Sequence, residues 1–241
     1  MGCCVAKNNN DLLPPAAKGV AVPKEEDLTL EDKIILEQEK KLHFSRLLSK
    51  EIVKSIKAES LQNSLSLPQL KRVFHDLQIP ESELTSPDTP TYHLLSKVKN
   101  ENKLYDTKKL SLIGIVIGIG TAEEKADWLF RQFDVDATGM LDPSEIEEML
   151  GAMVDVCANI LPVLAKGEGI GFMNKEDIDA YKDKLISGKD EFIREITKQL
   201  LVEKEISQHE LTMKLGDINN SLSKLLYSYG VRSLLRKYVM S

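Results

Sequence analysis

Apolar residues recur every three or four positions along most of this 241-residue chain. That spacing places them on one side of an α-helix, so each stretch predicts an amphipathic helix. The stretches cover 67–77, 91–98, 110–119, 123–133, 144–161, 175–185, 190–201, 207–215 and 217–229. An earlier stretch, 31–58, predicts either one long helix or two joined helices. Strand patterns are confined to very short segments, and the proline-containing segment 80–90 is typical of a linker. The sequence therefore predicts an all-α protein.

One segment between two of these helices, Asp134–Glu145, carries a regular series of oxygen-bearing side chains. They stand at the first, third, fifth, ninth and twelfth of its positions, as Asp134, Asp136, Thr138, Asp142 and Glu145. Gly139 occupies the sixth position, where the absence of a Cβ permits a sharp turn. A calcium ion takes about six to eight oxygens, and a short loop supplies them only by wrapping around one point. The spacing predicts a cation site.

With its two flanking helices, this segment resembles an EF-hand. The resemblance implies one Ca²⁺ held by side-chain oxygens of Asp134, Asp136, Thr138, Asp142 and Glu145 and by the backbone carbonyl of Met140. Asp142 would act directly or through a water, and Glu145 would use both carboxylate oxygens, which suits calcium better than magnesium. An acidic helix start alone would account for 142–145, but not for Asp134, Asp136 and Gly139.

The helices on either side of the loop each present one apolar stripe. Leu129 and Phe130 belong to the incoming stripe, and Met149 and Met153 belong to the outgoing one. In sensor EF-hands, ion binding swings the outgoing helix and opens an apolar groove. The resemblance thus implies that these four residues line a groove for a protein target such as an amphipathic helix.

Three further helix pairs have similar stripes but lack the acidic loop. The first connection lies near 57–69, the second runs between Lys99 and Lys109, and the third lies between Leu200 and Ile206. The lysines at both ends of the second would repel calcium. Together they extend the resemblance to four-hand proteins of the calmodulin, neuronal calcium sensor and calcineurin-B type. That implies paired EF-hand units in two lobes, with one intact and three degenerate loops. Ordinary helix packing would give similar stripes, and 154–189 is an insertion relative to the pattern.

The expected domain organisation follows from these pairs. Residues 1–30 form a flexible acylated tail, 31–118 an N-terminal lobe of degenerate hands, and 119–216 a C-terminal lobe that contains the loop 134–145. Residues 217–241 form a C-terminal helical segment. This last segment combines apolar residues with basic ones, so it either covers the protein's own surface or contacts a partner or membrane.

The distribution of charge supports a cation site. The net charge is −6, yet ten acidic residues stand against two basic ones between 121 and 157. A concentrated negative field suits a cation and argues against a nucleic-acid surface.

The first residues carry a separate signal. Gly2 follows the initiator methionine and resembles an N-myristoylation acceptor, and Cys3 and Cys4 stand where palmitoylation would add a second anchor. Ala6 departs from that pattern, because serine or threonine is usual there. We expect a cytoplasmic protein held peripherally at a membrane by lipid anchors; an unmodified terminus is the alternative.

No nucleophile–base pairing suggests catalysis, so we do not expect an enzyme. The glycines at 114, 118 and 120 lack the ending of a phosphate loop and favour packing of a buried helix. Cys157 is expected to pack as a small apolar residue. Two functions stay open: a membrane-tethered calcium sensor, or a structural adaptor in which calcium only stabilises the C-terminal lobe.

Overall fold

A computed structural model describes residues 28–167, 171–201, 203–217 and 219–239. The predicted all-helical character is confirmed, with only a few very short strands. The helices in chain order are α1 Leu30–Glu39, α2 Ser49–Glu59, α3 Leu67–Asp76, α4 Ser82–Thr85, α5 Pro90–Lys97, α6 Thr107–Ile117, α7 Ala122–Phe133, α8 Pro143–Val154, α9 Lys175–Ile186, α10 Lys189–Leu200, α11 Gln208–Gly216 and α12 Ser228–Leu235. Short 3₁₀ segments occupy His43–Arg46, Leu161–Ala165, Ser221–Leu226 and Arg236–Tyr238, and a π-helix occupies Asp155–Ile160.

The stretch 31–58 forms two helices, α1 and α2, which is one of the two possibilities that the sequence left open; the 3₁₀ turn at His43–Arg46 separates them. The single helix predicted over 217–229 is wrong, because Tyr227 adopts extended backbone angles and ends a 3₁₀ segment before α12 begins. Leucines spaced three and four apart fit a 3₁₀ turn as well as an α-helix, so the pattern did not separate the two. The predicted linker 80–90 contains α4.

Four two-residue strands link the helices in pairs. They are β1 Ser64–Leu65, β2 Tyr105–Asp106, β3 Met140–Leu141 and β4 Ile206–Ser207. β1 pairs antiparallel with β2, and β3 pairs antiparallel with β4 in the register Met140 to Ser207 and Leu141 to Ile206. Each strand lies between two helices, α2 and α3, α5 and α6, α7 and α8, or α10 and α11. The strand pairing therefore joins the four helix–strand–helix units into two pairs.

The second helix of every unit begins with the same local arrangement of residues. A buried apolar residue of the strand directly precedes the N-cap residue: Ser66, Asp106, Asp142 or Ser207. Three of these caps form a reciprocal capping box with a glutamine or glutamate three residues later. Such a cap satisfies backbone N–H groups that have no partner within the helix. The helix starts are thus fixed locally, whether or not the preceding loop is acidic.

One continuous hydrophobic core runs from α1 to α12 and crosses the boundary expected between the two lobes. α1, which that boundary assigns to the N-terminal lobe, packs on Leu161–Ala165 and α12. α6 is buried and lies close to α2, where a Cβ on Gly114 would come within 2.5 Å of Ile52 Cγ2. Gly114 therefore permits close helix packing, as expected from the sequence.

The helical run Pro143–Ala165 combines α8, the π-helix and a 3₁₀ turn. Among the described residues it is the one helix long and apolar enough to cross a membrane, and 67% of its most apolar part is buried inside the protein. Its burial is that of a core helix. Cys157 lies fully buried in its middle, where burial raises the pKa of the thiol.

The C-terminal segment packs on the protein's own core. Leu222, Leu225, Leu226, Val231 and Leu235 are all buried. Of the three possibilities that the sequence left open, self-packing is the one seen in the structure.

Candidate metal centre

The segment Asp134–Glu145 connects two helices of the core. α7 ends at Phe133 and α8 begins at Pro143, and the backbone N–H of Asp134 still donates to Phe130 O at 3.0 Å. α7 starts with a Thr121–Glu124 capping box, and α8 starts with an Asp142–Glu145 capping box. Both ends of the loop are therefore anchored by regular helices.

Three acidic side chains converge in this loop. Asp134, Asp136 and Glu145 each offer a carboxylate oxygen, and these oxygens lie within 4.8 Å of one another. Like charges at this separation repel, and a cation between them would remove the repulsion. The group could hold a metal ion, with hard oxygen donors of the kind that Ca²⁺ and Mg²⁺ prefer.

The backbone of the loop turns through left-handed conformations. Gly139 has φ +78°, and Ala137 has φ +56°. These turns direct N–H groups inward, since Gly139 N donates to Asp134 Oδ2 at 3.3 Å and Thr138 N donates to Asp136 Oδ1 at 3.1 Å. The N–H groups hold the carboxylates in a fixed orientation.

Glu145 joins the two ends of the loop. Its Oε1 accepts from Val135 N at 3.1 Å, and its Oε2 accepts from Asp142 N at 3.2 Å. Asp142 Oδ1 in turn accepts from Glu145 N at 2.8 Å. Hydrogen bonds therefore hold the Glu145 carboxylate close to the start of the loop.

The other predicted ligands are engaged with their neighbours. Thr138 Oγ1 donates to Met140 O at 3.1 Å, so these two oxygens contact each other. Asp142 acts as the N-cap of α8 and is not a member of the three-carboxylate group. The structure brings together Asp134, Asp136 and Glu145 out of the six predicted residues.

One oxygen of the group is buried without a hydrogen-bond donor among the described residues. Asp134 Oδ1 is shielded from solvent and finds no hydrogen-bond partner among the described residues. A shielded carboxylate oxygen without a partner is costly, and a cation is a natural partner for it. The donor set and this oxygen fit a hard divalent cation.

The four residues predicted to line a groove lie in the core instead of at an open surface. Leu129, Phe130, Met149 and Met153 are all at most 1% exposed. Trp128, next to them on α7, is half-buried, with Lys57 and Arg131 over its ring. In this conformation no groove opens at these side chains.

A second polar cluster, absent from the sequence-based expectations, ties the two ends of the described chain together. Arg232 is fully buried; its Nε donates to Asp32 Oδ1 at 2.8 Å and its Nη1 to Glu39 Oε1 at 2.9 Å. Tyr181 donates to the same Asp32 oxygen at 2.8 Å, and Ser228 Oγ donates to Glu39 Oε2 at 2.6 Å. The cluster joins α1, α9 and α12.

Sequence reasoning had no signal for this cluster. Asp32 and Glu39 lie seven positions apart among the other charged residues of α1, and Arg232 lies 200 positions after Asp32. Only the burial of all three side chains distinguishes them from surface charges.

No protein-family model matches this chain, and no curated protein matches it at a significant level. The assignment of the site therefore depends on its geometry and on the sequence of the loop.

Gly2, Cys3 and Cys4, the predicted lipidation residues, lie outside the described residues.

Proposed function

We propose that Asp134–Glu145 is an EF-hand loop that binds one Ca²⁺. The observation that carries this proposal is the convergence of Asp134, Asp136 and Glu145, with Asp134 Oδ1 shielded and without a donor. Thr138, Met140 and Asp142 are the further ligands that the EF-hand resemblance implies. A bound ion would place two positive charges among the loop's four carboxylates and reduce their mutual repulsion.

The pairing of the strands supports the EF-hand assignment. β3 follows the acidic loop, and β4 follows the connection between α10 and α11, which lacks the acidic series. Hydrogen-bonded pairing of this kind would make the unit α10–β4–α11 the structural partner of the calcium loop. The units around β1 and β2 would be the other, ion-free pair.

In the leading form of the proposal, the protein is a calcium sensor tethered to a membrane. Gly2, Cys3 and Cys4 would carry the acyl chains, and Leu129, Phe130, Met149 and Met153 would line the groove offered to a protein target. Glu145 is the residue that would act on α8, because it lies in the first turn of that helix and contacts the start of the loop.

A second candidate is a structural adaptor in which calcium only stabilises the fold. It is favoured by Glu145, whose carboxylate already reaches the start of the loop, so that ion binding would require little movement of α8. The burial of the four groove residues favours it as well. The two candidates share the same calcium site and differ in the structural consequence of binding.

Calcium titration of Trp128 emission tests the site and separates the candidates. The comparison uses wild type, Glu145→Gln and the matched control Glu147→Gln, an exposed residue of α8. We expect Glu145→Gln to weaken calcium binding by more than about tenfold and the control to leave it unchanged. A sensor would also expose apolar surface to a hydrophobic dye, whereas an adaptor would gain thermal stability without doing so. Absence of binding at millimolar calcium would contradict both.

The tether has its own test. Mass spectrometry of the protein from eukaryotic cells should find an acyl group on Gly2 and on the adjacent cysteines. Gly2→Ala should move the protein from the membrane fraction to the soluble fraction. A wild-type protein that is unacylated and soluble would contradict the tether without affecting the calcium site.

A further inference from the structure

A cavity of about 240 Å³, half open to solvent, lies where α1, the end of α6, the start of α7 and the start of α12 meet. Its walls include Leu36, Val116, Ile119 and the ring of Tyr227, so most of the wall is apolar. A volume of this size corresponds to about eight waters in liquid. The cavity is separate from the candidate metal centre, and it borders the Arg232 cluster, because Glu39 and Ser228 belong to both.

Lys125 of α7 forms part of the wall. It is 2% exposed and is the only buried lysine among the described residues. Its Nζ lies 4.5 Å from the centroid of the Tyr227 ring, which also lines the cavity, and 3.5 Å from Leu226 O. An ammonium group has three donors, and here a long contact to one carbonyl is its only hydrogen bond to the described protein.

Within the described part of the chain, no carboxylate forms an ion pair with the Lys125 ammonium. Of the nearby acids, Glu39 is held by Arg232 and Ser228, and Glu124 lies near Lys50 and caps its own helix. A buried cation without a counter-charge is costly, so the site favours an anion that can enter the cavity.

We propose that this cavity binds a small organic anion with an apolar body, an aliphatic monocarboxylate of about eight carbons, whose carboxylate pairs with Lys125. The apolar wall would hold the chain, and the Tyr227 ring would hold the ammonium in place by a cation–π contact.

Burial lowers the pKa of Lys125 to about 7 in the free protein. A carboxylate beside the ammonium would stabilise its charged form, so binding above neutral pH takes up a proton. The other titratable groups that line the cavity are Glu39 of α1, Lys40 directly after that helix, and the two tyrosines at 227 and 229. Glu124 of α7 lies close by, next to Gly120 of the cavity wall. Substituting Lys125 separates the proton uptake of these groups from the uptake of Lys125 itself.

The test is calorimetric titration of the full chain with octanoate, with octanol as the neutral probe. We expect octanoate to bind at one site and octanol to bind at least about tenfold more weakly. Lys125→Met should reduce octanoate affinity at least about tenfold, while the control Lys33→Met, at an exposed lysine of α1 that does not line the cavity, should change it less than about twofold.

A second readout uses wild type alone. Titrations at about pH 8 in two buffers of different ionisation enthalpy should reveal uptake of about one proton per octanoate. This measurement decides the matter if Lys125→Met fails to fold, as judged by circular dichroism. Equal binding of octanol, equal losses in both lysine variants, no saturable binding, or uptake that persists in Lys125→Met would each overturn the proposal.

Discussion

The guanidinium of Arg232 donates to Asp32 across 2.8 Å, although the two residues lie 200 positions apart and neither is exposed to solvent. Arg236 also donates to Asp32. Arg232 Nη1 adds a contact to the carbonyl of Cys157 at 3.2 Å. This cluster fixes α12 against α1 and the π-helix, and it holds the C-terminal segment over the core.

Breaking this cluster should destabilise the protein strongly. Asp32→Asn removes one charge from a fully buried pair and leaves Arg232 with Glu39 alone, so we expect a loss of about 3 kcal/mol or more in the free energy of unfolding. Urea denaturation followed by circular dichroism measures it. Glu37→Gln breaks the exposed pair with Lys40 and should cost less than about 1 kcal/mol. Equal losses in the two variants would contradict a special role for the buried pair.

Stability should also fall in acid because of Asp32. Burial by itself raises the pKa of this carboxyl, but Arg232 and Arg236 outweigh burial and place the pKa below its ordinary value of 3.8. The resulting stabilisation is complete above 3.8 and is lost as the pH falls below that value through the folded-state pKa. Unfolding free energies from about pH 6 to pH 2.5 should therefore decline more steeply in wild type than in Asp32→Asn. Parallel curves would argue against this contribution.

Lys125→Met should stabilise the protein. Burial holds the pKa of Lys125 near 7, against 10.5 as the ordinary value, so the charged lysine opposes folding. That cost is fully present below about pH 7. Between pH 7 and 10.5 it diminishes as the pH rises, because folding then releases a proton that Lys125 still carries in the unfolded chain. We expect a gain of about 1–4 kcal/mol at about pH 6 and a smaller gain at about pH 9. Denaturant unfolding at both values checks it, and a gain independent of pH would point to packing alone.

The loop offers a matched pair of backbone substitutions. Ala137 has φ +56°, which costs a side chain with a Cβ about 1 kcal/mol, whereas asparagine tolerates this region. We expect Ala137→Asn to raise the free energy of unfolding by about 0.5–1 kcal/mol and Gly139→Ala to lower it by about 1–2 kcal/mol.

A Cβ at Gly139 would meet no atom within 4 Å, so any loss there reflects backbone conformation and not a clash. Urea unfolding with and without calcium measures both variants. If both substitutions changed stability in the same direction, conformational strain would not be the cause.

The candidate site was accessible to sequence reasoning because its residues are close along the chain. Asp134, Asp136, Gly139 and Glu145 lie within twelve positions, and their spacing is set by local turns and the start of a helix. The same holds for the helices, whose apolar periodicity and N-caps are local properties. The spacing could not separate a 3₁₀ segment from an α-helix at Ser221–Leu226, because both place such leucines on one side.

By itself, the sequence determined the helical class, the acidic loop and the positions of the helix starts. Only the tertiary structure decided that α1 packs on the C-terminal half, that Arg232 meets Asp32 and Glu39, and that Lys125 is buried beside a cavity. These features join residues up to 200 positions apart, and their side chains are of types that usually face water. How the helices pack together decides which charged side chains become buried. No local pattern along the chain indicates which ones they are.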